Sequence, residues 1–447
     1  MSSYWAPYGW LPGGVAERVR LVAEDGRWTR VEAGVEPADQ DVRLPGLVLP
    51  GFANTHSHAF HRALRGRTHG DGGTFWTWRD RMYALARRLE PPAYHLLARA
   101  VYAEMALAGI SAVGEFHYLH HQQDGSPYPD PNAFGHALIQ AASEAGIRIT
   151  LLDTCYLSGG LGPAGHLELD EVQRRFSDGS AAAWQQRVAL LAQIHGAQVG
   201  AAQDDTVRIG AAIHSVRAVP AGQLGQVVAA AAGSPLHVHV SEQPAENEAT
   251  LGHYGCSPTE LLARHGFGGP LHTAVHATHL SAADIALYGR TATNISFCPT
   301  TERDLADGIG PAPELAAAGA RLTLGSDQNA CVDLLEEARA LELHARLASL
   351  RRGRFSPAEL VDALTGHASL GWPDAGQLAP GQRADLVALR LDTVRTAGAL
   401  PEQVVLVAGA ADVDTVLVDG RLVVSGGRHV LGDVAGLLAE AIAPLWR

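Results

Sequence analysis

The sequence contains no lysine: all 34 of its basic residues are arginine. That excludes a Schiff-base lysine, a phosphate-loop lysine and a carboxylated lysine bridging two metal ions. Cysteine is scarce. Cys155, Cys256, Cys298 and Cys331 lie far apart with no C-x-x-C pair, which points to a reduced cytoplasmic protein with cysteines as small buried residues. No run of 18 apolar residues occurs, so no membrane span is expected. The N-terminal stretch lacks a basic segment followed by an apolar one, so no secretory signal is expected either. Positive charge is also in deficit. A formal net charge of −13 argues against general binding to nucleic acid or anionic membranes. No fixed-period repeat or low-complexity linker is visible.

What is present suits a large barrel. The chain has 447 residues, 47% of them hydrophobic, too many for one ordinary domain and enough for a sizeable core. Short β-type apolar runs recur at Phe52–Thr55, Ser111–Phe116, Arg148–Tyr156, Val207–His214, Leu236–Val240, Thr273–His276, Thr291–Phe297 and Arg321–Leu324. Between them lie Ala- and Leu-rich stretches of helical period. Eight strands alternating with helices predict an α/β fold, a (β/α)8 TIM-like barrel. The ends differ. "ERVRLVAEDGRWTRVEAG" near the start and "VLVDGRLVVSGGRHV" near the end read as β structure, the latter a hairpin with Asp-Gly at its turn. Both ends are therefore expected to form one small β-sandwich domain, residues 1–48 plus 376–447, beside a barrel of residues 49–375. "AGLLAEAIAPLWR" reads as a packing helix.

Functional groups of a parallel barrel collect at the C-terminal ends of its strands. His56 and His58 close the first strand, and residues i and i+2 share one side of a strand. His237 and His239 close the fifth with Glu242 just beyond, His276 closes the sixth, and Asp327 follows the eighth. Neutral imidazoles and a carboxylate facing one mouth suit a zinc-like ion with an open water position. His117, His120 and His121 look like a second metal cluster but are read as a solvated or hydrogen-bonded loop. Arg62, Arg65 and Arg67 form either a basic rim that attracts a dianion or a solvated helix face.

"PGFANTHSH", "HVHVSEQ", "VHATHL" and "LGSD", in that order, resemble the amidohydrolase superfamily in its deaminase-like mononuclear branch. The resemblance extends to "ATNISFCPTTERDLADG" and "GQRADLV", nearly the whole chain. It implies that His56, His58, His239 and Asp327 hold one divalent metal ion, with zinc as the expected ion. Glu242, His276 and Asp327 would then move protons, and His237 would be a packing residue.

"HSHAFHRAL", "FWTWRDRMY" and "EFHYLHH" are more particular. They resemble members that release ammonia from a linear amidine carrying two carboxylates. That implies a small dianionic, amino-acid-derived substrate bound by His61, Arg79, Tyr118, His214 and Arg217, since guanidinium forks suit carboxylates. His61 stands where those members carry glutamine. An imidazole replaces one amide hydrogen bond, not the donor–acceptor pair. The family also implies a homodimer. Two alternatives stay open: a deaminase of an aminated purine, other ring or adenosyl thioether, and a non-catalytic scaffold.

Overall fold

The computed structural model describes residues 1–69, 75–199 and 205–447. Eight parallel strands pair in chain order: β1 (Phe52–Ser57), β2 (Ile110–His117), β3 (Arg148–Cys155), β4 (Val207–Ile213), β5 (Leu236–Val240), β6 (His272–His276), β7 (Asn294–Phe297) and β8 (Arg321–Leu324). All eight predicted strands are present. The seventh begins at Asn294 rather than Thr291, because the helix Ala282–Thr291 runs on until Ala292 turns left-handed at φ 50°. Every position of β1, β2, β3 and β5 is buried. One face of each strand lines the barrel and the other carries helices, so both faces need apolar or hydrogen-bonded residues.

The ring nearly closes through β8 and β1. Thr55 Oγ1 donates to Leu324 O at 2.9 Å and lies 2.8 Å from Ser296 Oγ. Just beyond the strand ends, Ser326 N and Asp327 N donate to His56 O at 3.0 and 2.9 Å, and His58 N donates to Asp327 O at 2.9 Å. The loop bearing Asp327 is thus stitched to the segment bearing His56 and His58.

A second, nine-stranded sheet draws on both chain ends. Leu47–Leu49 joins them: it pairs with Ser2–Leu11 on one side and Leu386–Leu389 on the other. The Asp-Gly hairpin forms as read, joining Val413–Val418 to Arg421–Ser425 with Asp419 at φ 49° and Gly420 at φ 71°. This sheet has its own apolar core, built from Ala6, Leu21, Trp28, Val48, Leu386 and others. It is tied to the base of β3 by Arg148, whose NH1 donates to Asp385 at 2.9 Å and to Asp419 at 3.1 Å. The helix Val434–Ile442 packs on the helix Pro91–Leu107 at the barrel's flank.

Candidate metal centre and cavity

The site is built where strands stop. His56 projects from β1, and His58, in extended backbone one residue past its end, keeps the strand period. His239 precedes the end of β5, and His276 ends β6. Ser241, His276, Ala277 and Asp327 all adopt positive φ, at 51°, 67°, 49° and 43°. Such backbone costs of order 1–3 kcal/mol per residue and gathers where side chains must be aimed. Glu115, at the penultimate position but one of β2, accepts the Ala59 N–H at 2.6 Å and so anchors the chain just after His58.

The four expected ligands converge. His239 Nε2 lies 3.1 Å from His56 Nε2 and 3.3 Å from His58 Nε2. Asp327 Oδ1 lies 3.4 Å from both His56 Nε2 and His58 Nε2. Four donors about 2.1 Å from a tetrahedral divalent ion would stand about 3.4 Å apart, and these four distances fit that spacing. Proton placement fits too. His58 Nδ1 donates to Phe116 O and His239 Nδ1 to His214 O, each at 2.9 Å. Their Nε2 atoms therefore carry lone pairs in the neutral ring, and those lone pairs point at one another. Burial, above all, holds the imidazoles of His56, His58 and His239 below the usual histidine range, so they remain neutral. Converging lone pairs beside a carboxylate call for a cation.

His276 and Glu242 sit at the rim of this cluster. His276 Nε2 is 3.8 Å from Asp327 Oδ2 and 3.8 Å from Glu242 Oε1, and its Nδ1 is 3.4 Å from Glu302 Oε1. Burial disfavours charge on this ring, yet the three carboxylates outweigh it and raise it to about 10. Asp327 lies well below the usual carboxylate range: burial opposes this, but the hydrogen bond to His56 and the neighbouring imidazoles prevail.

A cavity of about 340 Å³ opens above the cluster, and His61, Arg79, Tyr118, His214 and Arg217 all line it. His61 Nε2 meets Tyr118 OH at 2.8 Å, and burial lowers its imidazole to about 3. Arg79 lies over the Tyr83 ring at 5.5 Å. Arg217 NH2 lies 3.7 Å from Glu242 Oε2, and its Nε lies 3.4 Å from Glu246 Oε2. Trp78, Tyr83, Tyr156 and Phe176 complete an aromatic wall.

The other clusters resolve simply. His237 is buried one layer down the barrel, with Nε2 3.5 Å from Ser369 O, away from the converging ligands. Of the two readings of His117, His120 and His121, the solvated one fails, since all three are buried, and the hydrogen-bonded one holds for His120 and His121. Arg187 already supplies the cation there, donating to Asp153 at 2.8 Å and to Asp178 at 2.9 Å. His120 Nε2 donates to Thr154 O at 3.0 Å, and His121 lies 3.2 Å from Asp178. Arg62 and Arg65 make no free basic rim, since both pair with Glu104 at 2.7 Å.

Two carboxylates, Glu246 on the cavity wall and Glu302 behind His276, escaped the sequence reading. Glu246 lies in the first turn of the helix Pro244–Tyr254, just after Glu242, and both line the cavity. Glu302 follows β7, the late strand to which no site residue had been assigned.

The chain matches the amidohydrolase family over residues 47–423. It is 37% identical to formimidoylglutamate deiminase of Pseudomonas aeruginosa, over 96% of each chain. It is 30% identical to 8-oxoguanine deaminase of the same organism, over 94% of this chain and 92% of that one. Among solved structures, an amidohydrolase from Brucella melitensis superposes with a TM-score of 0.92 at 31% identity, covering all of both chains. An adenosine deaminase from Xanthomonas campestris with bound zinc superposes with a TM-score of 0.82 at 22% identity, over 98% of this chain and 96% of that one.

Proposed function

Because the chain belongs to the amidohydrolase family, we propose that it hydrolyses N-formimidoyl-L-glutamate to N-formyl-L-glutamate and ammonia, a step of histidine degradation. The observation that carries this is the presence of two arginines, Arg79 and Arg217, on the wall of one cavity that His58, His239 and Asp327 also line. Two carboxylates on one small molecule need two such partners. The similarity to a formimidoylglutamate deiminase supports the same substrate.

The residues present fit a resident divalent ion, held by His56, His58, His239 and Asp327, with zinc assigned. When bound, such an ion lowers the pKa of a coordinated water to about 7 and so makes a nucleophile available near neutrality. Asp327 Oδ2, turned toward His276, takes a proton as the water oxygen adds to the formimidoyl carbon. His276 Nε2 offers a hydrogen bond to the oxygen in that step. Glu242, which also faces His276 Nε2, delivers a proton to the terminal nitrogen. As the intermediate collapses, the added hydroxyl gives its proton back to Glu242 and Asp327 passes the proton it took to the same nitrogen, which has then gained both water protons. The C–N bond then breaks, ammonia leaves, and the carbon keeps the oxygen as the formyl carbonyl. Arg79 and Arg217 hold the carboxylates, while Tyr118, His61 and His214 shape the wall. We also assign the enzyme to the cytoplasm, as a homodimer.

A flat aminated ring is the competing substrate, and the aromatic wall favours it. Ammonia release by the zinc-loaded protein decides between them, with N-formimidoyl-L-glutamate, N-formimidoyl-L-aspartate, guanine and adenosine analogues compared side by side. Turnover of a purine without turnover of the linear amidine would discard the proposal. No bound metal and no ammonia from any of them would leave a scaffold.

A further inference from the structure

One carboxylate takes no part in this scheme, yet lies against a residue that does. Glu302, on the helix Pro299–Asp304 that follows β7, is buried. Its Oε1 accepts the Cys298 N–H at 2.9 Å and faces His276 Nδ1 at 3.4 Å. An oxygen already accepting from one N–H is an acceptor for the other, so Nδ1 carries a proton and Nε2 is the atom turned to Asp327 and Glu242.

Packing alone does not select that orientation. The His276 ring lies 15° from parallel to the His239 ring, with centroids 5.6 Å apart. A half-turn about Cβ–Cγ leaves the outline of an imidazole almost unchanged. It swaps Nδ1 with Cδ2 and Nε2 with Cε1, however. The flipped ring would present carbons both to Glu302 and to the cavity. Asp327 and Glu242 distinguish the two orientations at 3.8 Å from Nε2, and Glu302 does so more closely, at 3.4 Å from Nδ1.

We propose that Glu302 is a positioning residue that sets the ring flip of His276, holding the Nδ1 proton so that Nε2 faces the reacting centre. The role of His276 itself rests on the proposed function above; its ring orientation does not. Partners of this kind commonly govern the geometry of a functional imidazole.

The test uses Glu302→Leu, which removes the acceptor at similar volume, and Glu302→Gln, which keeps an acceptor oxygen. In the zinc-loaded full chain, E302L is expected to lower kcat about 10²-fold with KM changed less than about threefold, since acid–base groups typically supply 10²–10⁴-fold. Metal content and melting temperature stay at wild-type values, and E302Q recovers about tenfold of the lost kcat. The independent readout is the ¹⁵N spectrum of histidine-labelled, zinc-loaded protein, with the His276 signals identified by their loss in His276→Asn. The wild type and E302Q show a hydrogen-bonded proton on Nδ1, whereas E302L does not. A wild-type Nδ1 without a proton, or an E302L variant with unchanged kcat, overturns the proposal. The wild-type spectrum decides even if E302L fails to fold. Absence of turnover by the wild type would instead count against the substrate and leave the spectrum to judge Glu302.

Discussion

Gly325 sits so close to His56 that a β-carbon on it would fall 2.7 Å from His56 Cβ, 2.8 Å from His56 O and 2.9 Å from Cys298 Sγ. Only a residue without a side chain lets the end of β8 approach β1 closely enough for Asp327 to join the imidazoles. Gly325→Ala should push the two segments apart. We expect zinc affinity to fall at least about tenfold and stability to drop by about 1–3 kcal/mol, as overpacking does. A titration against a competing chelator measures the first, and an unchanged affinity would show that the approach is not critical.

Asp327→Asn removes the only carboxylate of the ligand set and the proton acceptor beside it. The variant should retain less than about a tenth of the wild-type metal and lose at least about 10³-fold in kcat. Chelation of the wild type should abolish ammonia release, and added zinc should restore it. Elemental analysis alongside the assay reads both effects. Full activity in metal-free protein would contradict the assignment.

Arg79→Met and Arg217→Met test the two carboxylate contacts. A hydrogen bond to a charged group contributes about 1.5–3 kcal/mol, so each variant should lose roughly 10- to 150-fold in kcat/KM for the dicarboxylate amidine. Arg217 is also bound to Glu242 and Glu246, so its loss should lower kcat as well as raise KM. Steady-state kinetics that leave both variants at wild-type efficiency would point to a substrate without two carboxylates.

Arg187 neutralises two buried carboxylates, Asp153 and Asp178. Arg187→Met strands both, and removing one partner of a buried pair costs about 3–5 kcal/mol. The triple variant Arg187→Met, Asp153→Asn, Asp178→Asn should recover much of that loss. Urea denaturation of the three proteins gives the comparison. A mild effect of Arg187→Met alone would mean that water, not arginine, solvates the cluster.

His367 donates from Nε2 to Gly51 O at 2.8 Å at the base of the barrel. Burial, reinforced by the nearby Arg148, lowers its pKa to about 4. Above pH 6.5 neither the folded nor the unfolded ring is protonated, and the group adds no pH dependence. As pH falls through 6.5 only the unfolded chain takes up the proton, so stability drops until about pH 4. By pH 5 the loss from this one residue is about 2 kcal/mol. His367→Gln should lose correspondingly less stability than the wild type between pH 7 and pH 5. Equal losses in the two proteins would refute the shift.

Much of this molecule was legible in the residues themselves. Strands of a parallel barrel are short apolar runs with chemistry at one end, so "THSH", "HVHV", "AVH" and "LGSD" reveal both where each strand stops and what it carries. Local rules also sufficed for the Asp419–Gly420 turn, because two adjacent positive φ angles demand that dipeptide type. What the chain order does not encode is which distant side chain meets which. Arg187 filling the His120–Asp153 cluster, Glu104 neutralising Arg62 and Arg65, Glu246 reaching Arg217 and Glu302 backing His276 all depend on barrel radius, helix placement and rotamers. Composition and strand period established the kinds of donors at the mouth; only the folded backbone, through the close approach at Gly325, brought them to ligand distance.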